Sequence, residues 1–129
     1  MEYLFLLYSD PSKQMTQHES DQAKTRQWSI LDDTAKQGIL RGAGPLDPSA
    51  RGAYVRSDAG CILTTDGPYA ETKEALAGYY IIDCRDNEEA KYWAGRLSQT
   101  GCASVVEFNR LMPIPSRVED SQPASLVNA

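Results

Sequence analysis

The sequence predicts an α+β domain in which two helices cover one face of an antiparallel sheet. Two segments with apolar residues on both strand faces, one at the start and one in the middle of the chain, predict the two strong strands. Two further segments combine a capping residue with apolar side chains at helical spacing, which predicts helices. A length of 129 residues with 41% hydrophobic side chains suits one globular domain.

Residues 2–8 predict the first strand, because aromatic and long apolar side chains follow one another there. Tyr3 and Phe5 lie on one face and Leu4 and Leu6 on the other, so both faces are apolar. One layer of helices covers only one side of a sheet, and the other side needs a second cover. A second copy of so short a chain is the simplest cover, and we therefore expect a homodimer.

The first helix is predicted after Thr16, which forms the pattern of a capping box with Glu19. This helix is expected to run to about Gln37, and Gly38 follows as a C-cap. Its apolar face, flanked by Ile30, is expected to comprise Trp28, Leu31 and Ala35.

The second helix is predicted after Asp86, an N-cap that has Glu89 at the reciprocal capping position. Its core stripe has i, i+3, i+4, i+7 spacing and comprises Ala90, Trp93, Ala94 and Leu97. Gly101 ends this segment.

The other strands are predicted from short apolar runs bounded by turn residues. They are residues 39–46, with Gly42, Gly44 and Pro45 loosening the end, the hairpin arms 52–57 and 61–65, the strong strand 76–84, and 103–111. The order β-α-β, hairpin, β-α-β is the ferredoxin-like split βαβ arrangement. We assign residues 1–112 to this domain and residues 113–129, rich in Pro, Ser and charge, to a flexible tail. An arm that wraps a partner subunit is the alternative for the tail.

The charge balance is acidic, with a net charge of −5 and a pI near 4.8, and the basic residues are scattered. We therefore expect no direct nucleic-acid binding, since phosphate affinity comes mainly from Lys and Arg. No apolar run is long enough to span a bilayer, and the opening one is too short for a signal-peptide core. Cys61, Cys84 and Cys102 form no CxxC pair, which favours a reduced, cytoplasmic location.

Metal and cofactor chemistry has little support in the sequence. His18 is the only histidine, which argues against a His-based zinc or iron site within one chain. The three cysteines are better interpreted as small buried packing residues than as nucleophiles. Gly42 and Gly44 lack the third glycine and the following Lys of a phosphate loop. We expect no metal and no cofactor.

A family resemblance rests on residues 65–74, Thr-Asp-Gly-Pro-Tyr-Ala-Glu-Thr-Lys-Glu, followed by Leu76 and a Gly-Tyr-Tyr run at residues 78–80. This segment resembles the signature of the YCII-related family, in its DGPF-domain branch. Residues 1–8 resemble the family's first strand, and residues 38–46 its second strand and following loop. Together the matches extend over the whole chain before the predicted tail.

The resemblance implies a ferredoxin-like subunit that pairs as a dimeric α/β barrel. It also implies a link to transcription control, because some relatives are encoded beside extracytoplasmic-function sigma factors, which makes a sigma factor a candidate partner. Other relatives, outside this branch, look like enzymes that use a His and Asp pair on small ring substrates. The position of that histidine is occupied here by Arg26, and His18 lies too early, so this mechanism is not carried over.

Asp66 is the candidate catalytic residue, because a carboxylate at a strand end facing a dimer cavity can act as acid or base if burial raises its pKa. The alternative is an Asp-Gly-Pro turn whose Asp side chain bonds the backbone. Tyr69, which stands where Phe is usual in the family, Glu71 and Lys73 are ligand-binding candidates in the following loop. Glu71 and Lys73 have the alternative of an ion pair that positions this loop.

Three further ligand-binding candidates lie on the predicted strands. Tyr8 and Tyr80 suit a pocket wall, since tyrosine offers an apolar ring and one hydroxyl, but they suit a dimer interface equally. Arg41 is a candidate anion anchor, and pairing with a neighbouring acid is the alternative.

Two functions follow from these residues. The first is a non-catalytic member of the family that binds a small molecule or a protein partner such as a sigma factor. The second is a small-molecule enzyme of the dimeric α/β-barrel type, with Asp66 as acid or base and with Arg41 or Lys73 steering an anionic substrate. The missing histidine on the first helix favours the first function.

Overall fold

The computed structural model describes residues 1–10, 12–47, 52–66 and 75–117. The strands are β1 (Glu2–Ser9), β2 (Leu40–Pro45), β3 (Ala53–Asp58), β4 (Cys61–Asp66), β5 (Ala75–Asp83) and β6 (Val105–Arg110). The helices are α1 (Gln17–Lys36) and α2 (Asn87–Ser98). These bounds agree with the sequence-based expectations to within one or two residues.

The main sheet has the strand order β2-β5-β1-β6, and every neighbouring pair is antiparallel. β5 therefore lies between β1 and β2, so that the β1-α1-β2 unit is split by an inserted strand. This confirms the ferredoxin-like split βαβ arrangement. β3 and β4 form a separate two-stranded sheet, joined by a tight turn in which Ala59 and Gly60 have φ angles of 49° and 83°.

The helix starts depend on local side-chain caps. Thr16 Oγ1 accepts from the Glu19 backbone N at 3.1 Å, and Glu19 Oε1 accepts from the Thr16 N at 2.9 Å, which confirms the capping box. Asp86 caps α2 by accepting from the Glu89 N at 2.9 Å. The reciprocal bond expected from Glu89 to Asp86 is replaced, because Glu89 accepts from the backbone N and the guanidinium of Arg85, one residue earlier.

The core lies between α1, α2 and the inner face of the sheet. It comprises Tyr3, Phe5, Leu7, Ile30, Tyr80, Ile82, Cys84, Ala90, Trp93, Ala94 and Leu97. The predicted α2 stripe is confirmed, since all four of its residues are buried. Thr34 of α1 is also buried, and its hydroxyl donates to the Ile30 carbonyl at 2.8 Å, so its burial leaves no hydroxyl unpaired.

The expected apolar face of α1 is wrong for Trp28 and Ala35, although Leu31 is partly buried and packs against the core. Trp28 is 63% exposed and Ala35 is also exposed, whereas the buried residues of α1 are Ala23, Ile30 and Thr34. Two helical positions separate Trp28 from Ile30, which turns their side chains to nearly opposite sides of the helix. The packing of α1 therefore follows Ile30 and leaves the larger tryptophan outside.

Two other expectations concerned the burial of the cysteines and the tail that follows β6. Cys84 is buried as expected for a packing residue, but Cys61 is exposed, because the described residues of the β3–β4 hairpin lie at the surface. Residues 111–117 form neither helix nor strand, and the assignment of residues 113–129 to a tail stays a prediction. The rest of the predicted tail lies outside the described residues.

Removing the Leu97 side chain tests the packing of α2. Leu97 is fully buried, and Leu97→Ala should lower the free energy of unfolding by about 2–5 kcal/mol. Alanine keeps the helix propensity high, so the loss reports packing. Urea unfolding followed by circular dichroism measures it. Leu46→Ala is the matched control at a 45% exposed position, where a loss of about 1 kcal/mol or less is expected. Equal losses in the two variants would contradict the described core.

Candidate functional site

The sheet has a second face, turned away from the helices, which we call the open face. It carries side chains from alternate positions of β1, β2, β5 and β6. They are Leu4, Leu6, Tyr8, Gly42, Gly44, Leu76, Tyr79, Ile81, Val105, Glu107 and Asn109. The apolar members stay partly or largely exposed; Leu76, for example, is 42% exposed. The two-sided apolar pattern of the strong strands thus becomes one buried and one open apolar face.

Tyr79 occupies the middle of the open face, above two glycines of β2. A Cβ atom on Gly44 would lie 3.0 Å from Cε1 of Tyr79, and one on Gly42 would lie 3.9 Å from Cε2. Both glycines lie inside β2 and pair with β5, so they make room for the ring rather than loosening the strand end. Glycine at these positions lets an aromatic ring settle close to the backbone.

Tyr8 and Glu107 form a polar pair at one end of the open face. The Tyr8 hydroxyl donates to Oε1 of Glu107 at 3.1 Å. This hydrogen bond, and to a smaller extent burial, raises the pKa of Tyr8, so the hydroxyl keeps its proton at neutral pH. A carboxylate and a phenol beside an apolar wall can fix the orientation of a small ligand that has an apolar body and a hydrogen-bond donor.

Tyr80 lies on the opposite face of the sheet from Tyr8. Its ring belongs to the core, and its hydroxyl donates to Oε1 of Gln27 on α1. Burial, with a smaller contribution from Cys102, raises the pKa of Tyr80 to about 12. Tyr80 is therefore a neutral packing residue that ties β5 to α1, and it does not share a site with Tyr8.

Arg41 lies at the other end of β1 from Tyr8, in a cluster of charges. Its guanidinium donates to the Gly38 carbonyl at 2.7 Å and to Asp83 Oδ2 at 3.0 Å, and it lies 3.8 Å from Glu2. The Met1 ammonium, through a 2.8 Å hydrogen bond, and then Arg41 hold the pKa of Asp83 below its usual range. Arg41 thus pairs with neighbouring acids, which is the alternative considered for it from the sequence.

The DGP segment is described only at its start. Asp66 is the last residue of β4, and its backbone pairs with Ala53. Nothing is described of the Asp66 side chain, and Tyr69, Glu71 and Lys73 lie outside the described residues. The catalytic role of Asp66 and the ligand-binding roles of the other three stay predictions.

Glu107 is the site residue that the sequence-based interpretation missed. It stands in the run Val105, Val106, Glu107, Phe108, where the core-facing members are Val106 and Phe108. Strand alternation puts Glu107 on the side of the sheet that the strong strands also line with apolar residues. Because Val106 and Phe108 face the core, alternation along β6 alone could have identified Glu107 as a charged residue on the other face of the sheet.

In the described part of the chain, no group of three or more His, Cys, Asp or Glu side chains is arranged to hold a metal ion. Neither α1 nor α2 combines the length and the apolar character that a membrane-crossing helix requires.

The comparison with known families matches the chain, over residues 1–113, to the YCII-related domain. The chain belongs to the YCII-related family. It is 37% identical over 100 residues to an uncharacterized protein from Rhizobium meliloti (strain 1021), a match that covers 76% of this chain and 81% of that protein.

A similar solved structure is the 5-chloro-2-hydroxyhydroquinone dehydrochlorinase from Burkholderia phenoliruptrix AC1100, in complex with 2,5-dihydroxybenzoquinone. The TM-score is 0.51 at 14% sequence identity, and the match covers 87% of this chain and 94% of that one. At that identity the likeness supports the α+β fold and carries no residue roles.

The Tyr80 hydroxyl should titrate well after an ordinary tyrosine. In an absorbance titration near 295 nm, the folded protein should show a late step with a midpoint near pH 12, and Tyr80→Phe should remove it. Because its pKa is raised on folding, Tyr80 stabilises the fold fully below pH ~10 and loses this contribution as pH rises through about 12. Tyr92→Phe, on the exposed part of α2, should leave the late step in place. A late step that survives in Tyr80→Phe would contradict the assignment.

Proposed function

We propose that this protein is a homodimer in which the open faces of two copies pack together and enclose a site for a small ring-shaped ligand. The observation that carries the proposal is the apolar open face with the Tyr8–Glu107 pair at its end. The pairing is the dimeric α/β barrel that the family resemblance implies.

The open face needs a cover on physical grounds. An antiparallel sheet that faces water on one side normally carries polar residues there, whereas β1 and β5 place Leu4, Leu6 and Ile81 on this side. Contiguous apolar patches on soluble monomers usually mark an interaction site. Burial stabilises by roughly 25 cal/mol per Å² of apolar surface removed from water, so pairing two such faces favours association. A two-fold dimer buries the same patch on both copies.

The polar groups of the open face indicate the ligand class. Glu107 accepts hydrogen bonds and carries a negative charge, and the Tyr8 hydroxyl lies beside it. A small ring with a hydroxyl or amino group would stack on the apolar wall and donate to Glu107. The dehydrochlorinase complex contains such a compound, 2,5-dihydroxybenzoquinone, which we include in the candidate class.

Catalysis is the second candidate function. The structurally similar dehydrochlorinase is an enzyme, and Asp66 ends β4 immediately before the segment that carries Lys73. In this alternative Asp66 acts as acid or base, and Lys73 steers an anionic substrate. Arg41 is a weaker candidate for steering, because Asp83 and Glu2 already neutralise its charge.

A sigma factor, or another protein partner, is the alternative occupant of the open face. Such a partner would cover the same apolar residues in place of a second copy, and the purified chain would then be monomeric. The oligomeric state therefore distinguishes the two kinds of partner.

Introducing a charged side chain on the open face tests whether that face forms the dimer interface. Wild-type protein should sediment at about twice the 14.3 kDa chain mass, and Leu6→Glu should sediment as a monomer, because a buried unpaired carboxylate opposes the interface. Trp28→Glu, at an exposed site on α1, is the control and should stay dimeric. A wild-type monomer at micromolar concentration would overturn the homodimer and favour a different protein partner.

The ligand is tested by thermal shift against hydroxylated ring compounds and a broad metabolite panel. A compound at 100 times its Kd should add about 2.7 kcal/mol of stability, which raises Tm by several degrees. Glu107→Gln and Tyr8→Phe should weaken the hit about tenfold or more, and Tyr92→Phe should not. If a compound also turns over, Asp66→Asn should abolish turnover while leaving binding. A panel in which no compound raises Tm, or one in which Glu107→Gln leaves the Tm shift unchanged, would contradict the proposed site.

A further inference from the structure

A cleft lies between α1 and α2, on the side of the molecule away from the open face. It has a volume of about 250 Å³ and is lined by Arg26, Ser29, Ile30, Arg96, Gln99 and Thr100. Because the helices cover the inner face of the sheet, this cleft is separated from the open face by the core and the sheet.

Arg96 is held in a fixed orientation at this cleft. Its Nη1 donates to Oδ2 of Asp33 at 2.7 Å, and its guanidinium carbon lies 5.2 Å from the centroid of the Trp93 ring. The Arg96 side chain is only 24% exposed, so little freedom is lost when it binds a ligand. A guanidinium carries five N–H donors, and the bond to Asp33 leaves others for a second acceptor.

Arg26 brings a second positive charge to the same cleft. Among the described residues no acid forms an ion pair with Arg26, and Ser29, one turn later on α1, adds a hydroxyl. Among the described residues that line the cleft, two side chains are positively charged and none is negatively charged, and Asp33 pairs with Arg96 alone. The cleft therefore keeps a positive excess in a chain whose net charge is −5.

The carboxyl end of α2 is a counter-argument, because helix C-termini repel anions. Two carbonyls of its last turn are already hydrogen-bonded, however. The Leu97 carbonyl accepts from the Thr100 hydroxyl at 3.0 Å, and the Arg96 carbonyl accepts from the Gln99 N at 3.2 Å. These bonds leave the side chains of Arg26, Arg96 and Ser29 to set the chemistry of the cleft.

We infer that the cleft between α1 and α2 binds a compact oxyanion, a phosphate or carboxylate group, between the side chains of Arg26 and Arg96. The guanidinium fork matches the paired oxygens of both groups. The volume of about 250 Å³ lies below the ~300–1,000 Å³ typical of sites for drug-sized ligands, so the expected ligand is a small free anion rather than a nucleotide.

The test is calorimetric titration of the full chain with inorganic phosphate and, separately, with malonate, each at constant ionic strength. Saturable binding of either anion is expected. The anion that binds more tightly shows whether the cleft prefers a phosphate or a carboxylate group. Arg26→Gln should weaken it about tenfold or more, as expected for a charge-assisted hydrogen bond. Arg26 forms no ion pair with any residue that the structure describes, so this variant should fold, and Arg26→Lys should recover part of the affinity.

Two controls make the result specific. Arg56→Gln removes an equal charge from the β3–β4 hairpin and should leave binding unchanged. The Leu6→Glu variant, which changes only the open face, should also keep its anion binding. The experiment therefore tests the anion site independently of the ligand site proposed on the open face. Nuclear magnetic resonance of the Arg96 Nε–H signal should shift with the anion. No saturable binding of either anion, or binding undiminished in Arg26→Gln, would overturn the inference.

Discussion

The antiparallel register of β1 against β5 decides which side of this sheet faces the core and which side is the open face. Phe5 lies opposite Tyr80, and both side chains point to the core. Leu6 lies opposite Tyr79, and both of these side chains lie on the open face. A slip of one residue would exchange the two faces completely. The helices, the open face and the Tyr8–Glu107 pair all take their places from this one alignment, because β2 and β6 join the sheet on its two sides.

Local chemistry made much of the fold predictable. The Thr16–Glu19 box and the stripe that includes Trp93 each depend on residues within one or two helical turns, so the sequence contains the whole signal. The face of α1 was not predictable in this way. Its sequence offers Trp28 on one side and Ile30 on another, and only docking against the sheet decides between them.

The candidate site was less predictable, because β1 and β5 are apolar on both faces and their alternation does not show which face is the core. Tyr8 and Tyr80 appeared equivalent in sequence, yet the register of β1 against β5 pairs Tyr80 with Phe5, and alternation along β1 puts Tyr8 on the face opposite to Phe5. Arg41 depends on Asp83, 42 positions later in the chain, and no local pattern reveals such a partner. The α1–α2 cleft is likewise assembled from distant segments by the docking of two helices.

The exposed tryptophan of α1 has a spectroscopic consequence. The chain contains two tryptophans, and the structure sets them in opposite surroundings, with Trp93 in the core and Trp28 in contact with water. Their emission therefore reports on different regions. A blue-shifted component from Trp93 follows the docking of α2 on the sheet, while a solvent-quenchable component from Trp28 follows the outer surface of α1. The protein carries its own pair of optical probes, one for the interior and one for the helical surface.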